Sequence, residues 1–427
     1  MKFYSKGPIK ELKLRLYSSS DEDFIGWCYT ILETVYPGLI KASKGNLKDA
    51  AIDLYATNER QDSLETVFLC KGFSGQDFGR GELEHCLESL DSLSNSQYCA
   101  SELYLVFNRL LKDPHMRSEL EELLRKLMDT GKFTQAHFLD INGLFDLVSE
   151  RLTEELEKAI RSANDRFREE YVERMEQRFY KDDVRFTLES SEAIQMNPTK
   201  FIKQEFQKLF VKETNARCWV FVISEFGFGK TSLLLNLPYQ YPERFYIYLP
   251  IAQFSKDAFT NESTLSQAIL EILLEREIDA LGILSDKLMV LALNLILRDR
   301  SDVVLLFDGL DEHHLSYQEG GLTTIFSCAT SFKAYAVFTV RKEFVDERSG
   351  YFHLAMSSLN QQRPAMLTLF LQEWDTEGIL DYLDRYLIDR PDGIASDRIN
   401  EFKILVGASQ YEKYFGKLAG RFLAGEF

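Results

Sequence analysis

Six consecutive apolar residues, Cys218 to Ile223, run straight into Ser224-Glu225-Phe226-Gly227-Phe228-Gly229-Lys230-Thr231-Ser232 and then into Leu233-Leu234-Leu235. An apolar run of that length, closed by a glycine-bearing turn, reads as a buried strand. The residues from Lys230 onward read as a helix. Strand, glycine loop, Lys-Thr and helix together are the context in which a backbone can wrap a phosphate chain. Gly227 and Gly229 allow the backbone N–H groups to approach phosphate oxygens, and the helix opening at Lys230 adds the positive end of its dipole. In this reading the loop from Ser224 through Phe226, Gly227, Phe228 and Gly229 to Ser232 binds the ligand. Lys230 reaches the β- and γ-phosphates, and the Thr231 hydroxyl is a ligand for Mg²⁺.

A second apolar run, Val303 to Phe307, ends in Asp308 and is followed at once by Gly309, Leu310, Asp311 and Glu312. That brings three carboxylates to the carboxyl edge of a sheet, where open α/β folds bind their ligands. Asp308 would hold Mg²⁺, directly or through water, while Asp311 or Glu312 could orient an attacking water. A third apolar run, Ala336 to Val340, ends in Arg341. A guanidinium at that edge could sense a γ-phosphate or stabilise charge in transfer; equally, it could pair with Asp308 or Glu343.

Further strands are expected over Phe245–Ile251 and Met366–Leu371, with helices between, the longest over Leu265–Leu297. Strands alternating with helices imply a parallel sheet covered on both faces. Upstream, Leu144 to Phe179 carries apolar residues every three or four positions without a proline, which predicts a long amphipathic helix. The first 140 residues read as a smaller α/β domain. Strands are expected at Ala50–Ala56, Thr66–Cys70 and Phe133–Ile141, and helices at Asp21–Val35, Glu82–Leu93 and Leu103–Met128. The fold class is thus α/β throughout. The expected division is 1–140 for the first domain, 141–195 for a helical linker, 196–346 for the phosphate-binding core, and 347–427 for a last core strand and a helical arm.

Composition removes several alternatives. The 427 residues carry a net charge of −17, which argues against a protein coating nucleic acid or an anionic membrane over its whole surface. Lysines scattered through the first twenty residues leave no room for a signal peptide, and no apolar run approaches a bilayer's thickness. Six cysteines without a C-x-x-C pair read as reduced core thiols of a cytoplasmic protein.

The run Ser224 to Ser232 resembles the G-E-F-G-T-G-K-T-S form of the NACHT branch of STAND NTPases, with Ser224 in place of the first glycine. Leu305 to Glu312 is similar to that branch's extended Walker B motif, Phe338 to Lys342 to its T-x-R sensor strand, and Leu369 to Leu383, with Trp374, Ile379 and Tyr382, to the segment entering its helical arm. The resemblance covers about residues 196–390. It implies a nucleotide-switched protein that uses ATP or ADP with Mg²⁺ and homo-oligomerises on activation, usually with an N-terminal effector and a C-terminal sensor. About 40 residues follow the last matching segment, without a winged-helix or repeat pattern. The sensor is therefore expected to be unconventional or in another protein, or the chain to be a piece of something longer.

In the first domain, a helix bearing Glu33, then Asp53, then an apolar strand ending in Lys71 resemble the order of Mrr-type PD-(D/E)XK nucleases. That resemblance implies a metal at Asp53, a steadying role for Lys71 and a further ligand from Glu33, with DNA as substrate. Leu69 stands where the family has a metal-binding acid or Gln. An ordinary α/β domain with Asp and Lys at strand ends accounts for the same residues.

The resulting expectation is a STAND-type switch in antiphage defence, controlling a nuclease-like effector. Competing with it are a DNA-processing P-loop motor and a non-catalytic, nucleotide-gated scaffold.

Overall fold

The computed structural model describes residues 7–42, 46–58, 60, 63–75, 77–177, 186–188, 200–205, 218–225, 229–279, 283–300, 302–332, 334–358 and 365–371. The chain falls into two compact units, one of Met1–Leu156 with Asp279–Leu295, the other of Glu157–Ile278 with Ile296–Phe427. Both are α/β.

The first unit carries a five-stranded sheet in the order β1 (Ile40–Lys41), β2 (Leu54–Thr57), β3 (Leu64–Lys71), β4 (Ala100–Phe107), β5 (Phe133–Leu139). The first two strands pair antiparallel, and β3, β4 and β5 run parallel. One face is filled by Val67, Leu69, Leu103, Leu105 and Phe107 against Leu83, Leu90, Leu120 and Leu124 from the helices Arg80–Asn95 and Pro114–Asp129. Phe68 belongs to the other face, where its ring stacks on Tyr104 at 5.2 Å.

Three expectations change here. Leu103–Phe107 is not the start of a helix but the second half of β4, with the helix opening only at Pro114 behind an Asp113 N-cap. A continuous apolar run buried on both sides carries no period to tell strand from helix. The strand expected from Ala50 begins at Leu54; Asn46–Asp49 forms a helical turn, and Ala51 adopts a left-handed φ of 62°. The expected long helix Leu265–Leu297 is broken by Glu275, at φ 52°, into Glu262–Leu274 and Leu284–Asp299.

After α1 (Gly7–Ser18), α2 (Asp21–Leu32), α3 (Asn46–Asp49), α4 (Arg80–Asn95) and α5 (Pro114–Asp129), the amphipathic helix α6 is continuous over Ile141–Gln177. Its residues from Glu157 onward belong to the second unit.

The second unit holds a six-stranded sheet, ordered β6 (Phe186–Leu188), β11 (Ala365–Leu371), β7 (Cys218–Ser224), β10 (Tyr335–Arg341), β9 (Val303–Asp308), β8 (Phe245–Pro250). All pairings are parallel except β6 with β11. Every residue of β7 is buried, as a strand covered on both faces requires. On one face, Val220, Val222, Val304, Leu306 and Val337 pack against Leu233, Leu234 and Leu237 of the helix Lys230–Gln240. On the other, Phe221, Phe338 and Phe307 stand in register across three adjacent strands. Their rings stack at 5.1 Å and 4.7 Å. Phe326 and Phe352, from the helices Gly321–Ala329 and Ser349–Ser358, close over that ladder edge-on. Helices therefore cover both faces of a parallel sheet. The segment 372–427, expected to be helical, lies outside the described residues.

Candidate functional site

In the second sheet β7 lies between β11 and β10, although the chain leaving β7 goes next to β8 at the far edge. Such a reversal of direction opens a crevice at the carboxyl ends of the strands. Ser224, Asp308 and Arg341 are the last residues of β7, β9 and β10, so the sheet itself collects the chemistry found in the sequence. Phe226, Gly227 and Phe228 lie outside the described residues.

Gly229 has φ 81° and caps the helix that starts at Lys230. A left-handed turn there costs glycine nothing and most other residues about 1 kcal/mol or more. The Lys230 ammonium folds back over the start of its own loop. It donates to the Ser224 carbonyl at 3.1 Å, the Ser224 hydroxyl at 3.2 Å and the Glu225 carbonyl at 2.9 Å. Burial pulls its pKa down to about 8, partly offset by the Asp311 carboxylate. A cation held against desolvation in this way gains strongly from an incoming anion.

Asp308 is the most heavily partnered carboxylate of the crevice. Its Oδ2 accepts from the Thr231 hydroxyl at 2.7 Å and from the Tyr248 hydroxyl at 2.8 Å. Its Oδ1 accepts from the Thr339 hydroxyl at 2.5 Å, and the Thr339 oxygen in turn accepts from the Gly309 N–H at 2.8 Å. Thr339 is fully buried, so this chain fixes both the carboxylate and the turn after it. Gly309 is required in that turn. Its φ is 75°, and a Cβ there would sit 2.7 Å from the Glu312 carboxylate.

Arg341 holds the other two acids. Its backbone N–H donates to Asp311 Oδ1 at 3.0 Å, its Nε lies 3.0 Å from Asp311 Oδ2, and its terminal nitrogen donates to Glu312 Oε1 at 3.0 Å. Arg341 thus pairs with Asp311 and Glu312, where the sequence offers Asp308 or Glu343 as partners. Asp311 is only 4 % exposed and bonded to Arg341 through both oxygens, whereas Glu312 is open to solvent.

A hydroxyl and a carboxylate oxygen 2.7 Å apart are hard donors of the kind Mg²⁺ takes, with water and phosphate oxygens completing its shell. Thr231 and Asp308 fit that role. Ser232 lies on the first turn of the same helix.

Sequence reasoning missed Tyr248 and the role of Thr339. Both lie in apolar strands and look like packing residues; only the Thr-x-Arg spacing before Arg341 hinted at Thr339.

In the first unit, Lys71 and Asp53 come together, Nζ lying 3.9 Å from Oδ2. That same Oδ2 accepts the Cys70 N–H at 2.8 Å, and burial pushes the Asp53 carboxyl up despite the neighbouring ammonium. Glu33 is exposed on its helix and accepts from the Tyr29 hydroxyl at 2.9 Å. The acid that reaches the end of β3 is instead Asp21, whose Oδ1 accepts the Gly72 N–H at 2.6 Å. Gly72 permits that approach, since a Cβ would lie 2.6 Å from the Asp21 Cα. Leu69 is fully buried in the core. No group of three or more His, Cys, Asp or Glu able to hold a metal occurs among the described residues.

None of the six cysteines is in a disulfide, and no described helix is long and apolar enough to cross a membrane.

No family model matches the chain, and no curated protein matches it in sequence. Among solved structures it is similar to Cdc6p of Pyrobaculum aerophilum, at 14% identity and a TM-score of 0.29 over 47% of this chain and 51% of that one. The Walker-type ATPase PABY2304 of Pyrococcus abyssi gives 14% and 0.30 over 47% and 61%. A closed-state reconstruction of Hsp104 with ATPγS and casein gives 10% and 0.28 over 99% and 95%. The chain thus spans only about half to three fifths of the first two. Superpositions this loose carry no argument about what the crevice binds, which rests on its own geometry.

Proposed function

We propose that the second unit is a P-loop ATPase acting as a nucleotide-controlled switch of the NACHT/STAND type. The carrying observation is the convergence, at one sheet edge, of Lys230 at the start of its helix, the Thr231–Asp308 pair and the Arg341–Glu312 pair. In this reading ATP lies along the loop Ser224–Ser232 with its triphosphate toward Lys230. When bound, Mg²⁺ neutralises phosphate charge beside Thr231 and Asp308. Glu312 orients the attacking water, and Asp311 keeps Arg341 aimed at the γ-phosphate. Because Arg341 grips Glu312 here, a γ-phosphate drawing the guanidinium would free the carboxylate for its task. Nucleotide-dependent oligomerisation, and an antiphage role in the cytoplasm with a trigger or sensor partner still to be found, follow from the NACHT resemblance. In that scheme assembly positions the first unit as an effector.

A second reading, a nucleotide-gated scaffold whose first unit is not catalytic, is favoured by one observation. Leu69, where a metal ligand is required, is fully buried.

The test measures ATP binding and turnover in Lys230→Ala and Glu312→Gln. The first should lose binding. The second should bind ATP like wild type and turn it over about 10²-fold more slowly, the scale of a lost general base. Wild-type affinity and turnover in Lys230→Ala would reject the ATPase reading.

A further inference from the structure

Among the described residues β8 is an edge strand, with one row of backbone groups that no described strand pairs, a liability that folds cover with another element. Here the cover is the second half of α6. Arg161 lies over the Phe245 ring at 4.5 Å, and Arg300 packs on the same ring at 4.0 Å while pairing with Glu157. Asn164, with its amide oriented to satisfy both groups, donates to the Tyr246 carbonyl at 2.7 Å and accepts from the Tyr246 N–H at 3.3 Å. It completes the edge as a neighbouring strand would. Phe167 meets the Tyr248 ring edge-on at 5.3 Å, the Arg168 Nε donates to the Pro238 carbonyl at 2.9 Å, and Tyr171 packs on Tyr239 at 4.9 Å. These contacts recur every three or four residues, so one helix face lies along the strand at Arg161, Asn164 and Phe167 and passes onto the helix Lys230–Gln240 at Arg168 and Tyr171.

Among these contacts, Phe167 meets a side chain that itself touches the crevice. Tyr248 donates its hydroxyl to Asp308 Oδ2, the same oxygen that receives Thr231. A carboxylate oxygen has two lone-pair sites, and both are taken. A divalent cation that takes this oxygen as its ligand must therefore change at least one of these bonds. The Thr231 hydroxyl can ligate the metal through its oxygen while its proton stays on Asp308, so the bond that changes is the one from Tyr248, whose ring meets Phe167. Losing a group that orients a metal ligand typically costs about 10–100-fold in metal affinity.

We propose that Tyr248 is the positioning residue for Asp308 and that, through Phe167, it makes helix α6 respond to magnesium nucleotide in the crevice. This rests on the nucleotide reading above and adds how the occupied site is communicated. The responding residues, from Glu157 onward, are the part of this helix that belongs to the second unit.

The test uses the full chain and two conservative variants. Hydrogen exchange of residues 157–171 is followed with and without Mg²⁺ and a non-hydrolysable ATP analogue, and analogue binding is titrated against Mg²⁺. In wild type, exchange over this segment should change on adding the magnesium analogue. Tyr248→Phe keeps the ring and loses the hydroxyl; its half-saturating Mg²⁺ should rise about tenfold, and the exchange response should vanish. Phe167→Leu keeps the Tyr248–Asp308 bond; its Mg²⁺ dependence should match wild type while the exchange response is lost. The proposal is overturned if wild type binds the analogue with no change at 157–171, if Tyr248→Phe matches wild type in both measurements, or if Phe167→Leu still responds. A wild-type chain that binds no magnesium nucleotide would overturn the nucleotide reading, and this one with it.

Discussion

Lys230 shows what a single buried charge does to both stability and binding. The free chain keeps a lysine proton up to about pH 10.5, whereas burial in the fold brings this one to about 8. Between those values the unfolded chain binds more protons than the folded one, so nucleotide-free stability should rise with pH across that window. Below pH 8 the ammonium is charged in both states and its desolvation is a full cost, roughly 3 kcal/mol at most. Lys230→Met removes that cost, so its stability relative to wild type should be most favourable at pH 7 and should decline toward pH 10. Binding has the opposite sign, because a triphosphate favours the protonated lysine, and affinity should fall as pH rises above 8. Urea unfolding of both proteins at several pH values checks the first part; a difference independent of pH between 7 and 10 would contradict it. Residues of this kind were legible in the sequence because a charged or hydroxyl side chain closing an apolar run has few reasons to be there. Lys230, Thr231, Asp308 and Arg341 all announce themselves that way. Tyr248 and Thr339 do not. They sit inside their strands, and only the folded sheet shows that their hydroxyls meet Asp308.

At the scale of elements, the core of the second sheet was readable for a related reason. Cys218–Ser224 and Val303–Asp308 are bounded by turn residues or charge on both sides, and the strands have those limits. What the pattern could not convey is register. Phe221, Phe338 and Phe307 come from three distant segments, yet they form one stacked ladder because β7, β10 and β9 are aligned to the residue. That alignment also brings Ser224 level with Arg341, so the ladder helps hold the crevice in shape. Phe338 is its centre and is fully buried. Phe338→Ala should cost about 3–5 kcal/mol of stability, read as a lower denaturant midpoint. Phe338→Leu, which keeps most of the volume, should cost much less. Equal midpoints for the two variants would show that the ring fills no essential space. In the first unit, β4 was misread because its apolar run is continuous, and the true helix start was marked only by Asp113-Pro114. The break at Glu275 was invisible, since neither glycine nor proline stands there.

For the whole molecule, the question is whether the first unit does chemistry of its own. Its topology gathers Asp53 and Lys71 at one end of the sheet, as the nuclease resemblance expects, and Asp21 joins them through the Gly72 N–H. The remaining requirements of a metal-dependent hydrolase are poorly supplied. The oxygen of Asp53 nearest Lys71 already accepts the Cys70 N–H, and burial raises that carboxyl's pKa. Leu69 offers no oxygen, and Glu33 is exposed and bonded to Tyr29. With at most Asp53 and Asp21 near one another, a hydrolytic metal would lack the ligands that fix its position and lower the pKa of its water. We therefore expect supercoiled plasmid DNA to stay intact with the full chain and Mg²⁺, both without nucleotide and with ATP. The full chain is the right sample, because Asp279–Leu295 groups with the first unit and a fragment ending near residue 140 would lack it. Nicking that requires ATP and disappears in Asp53→Ala would overturn this expectation. It would show that assembly supplies in trans the oxygen that Leu69 withholds. Nicking that survives Asp53→Ala would place the activity elsewhere and remove the nuclease resemblance from this end of the sheet.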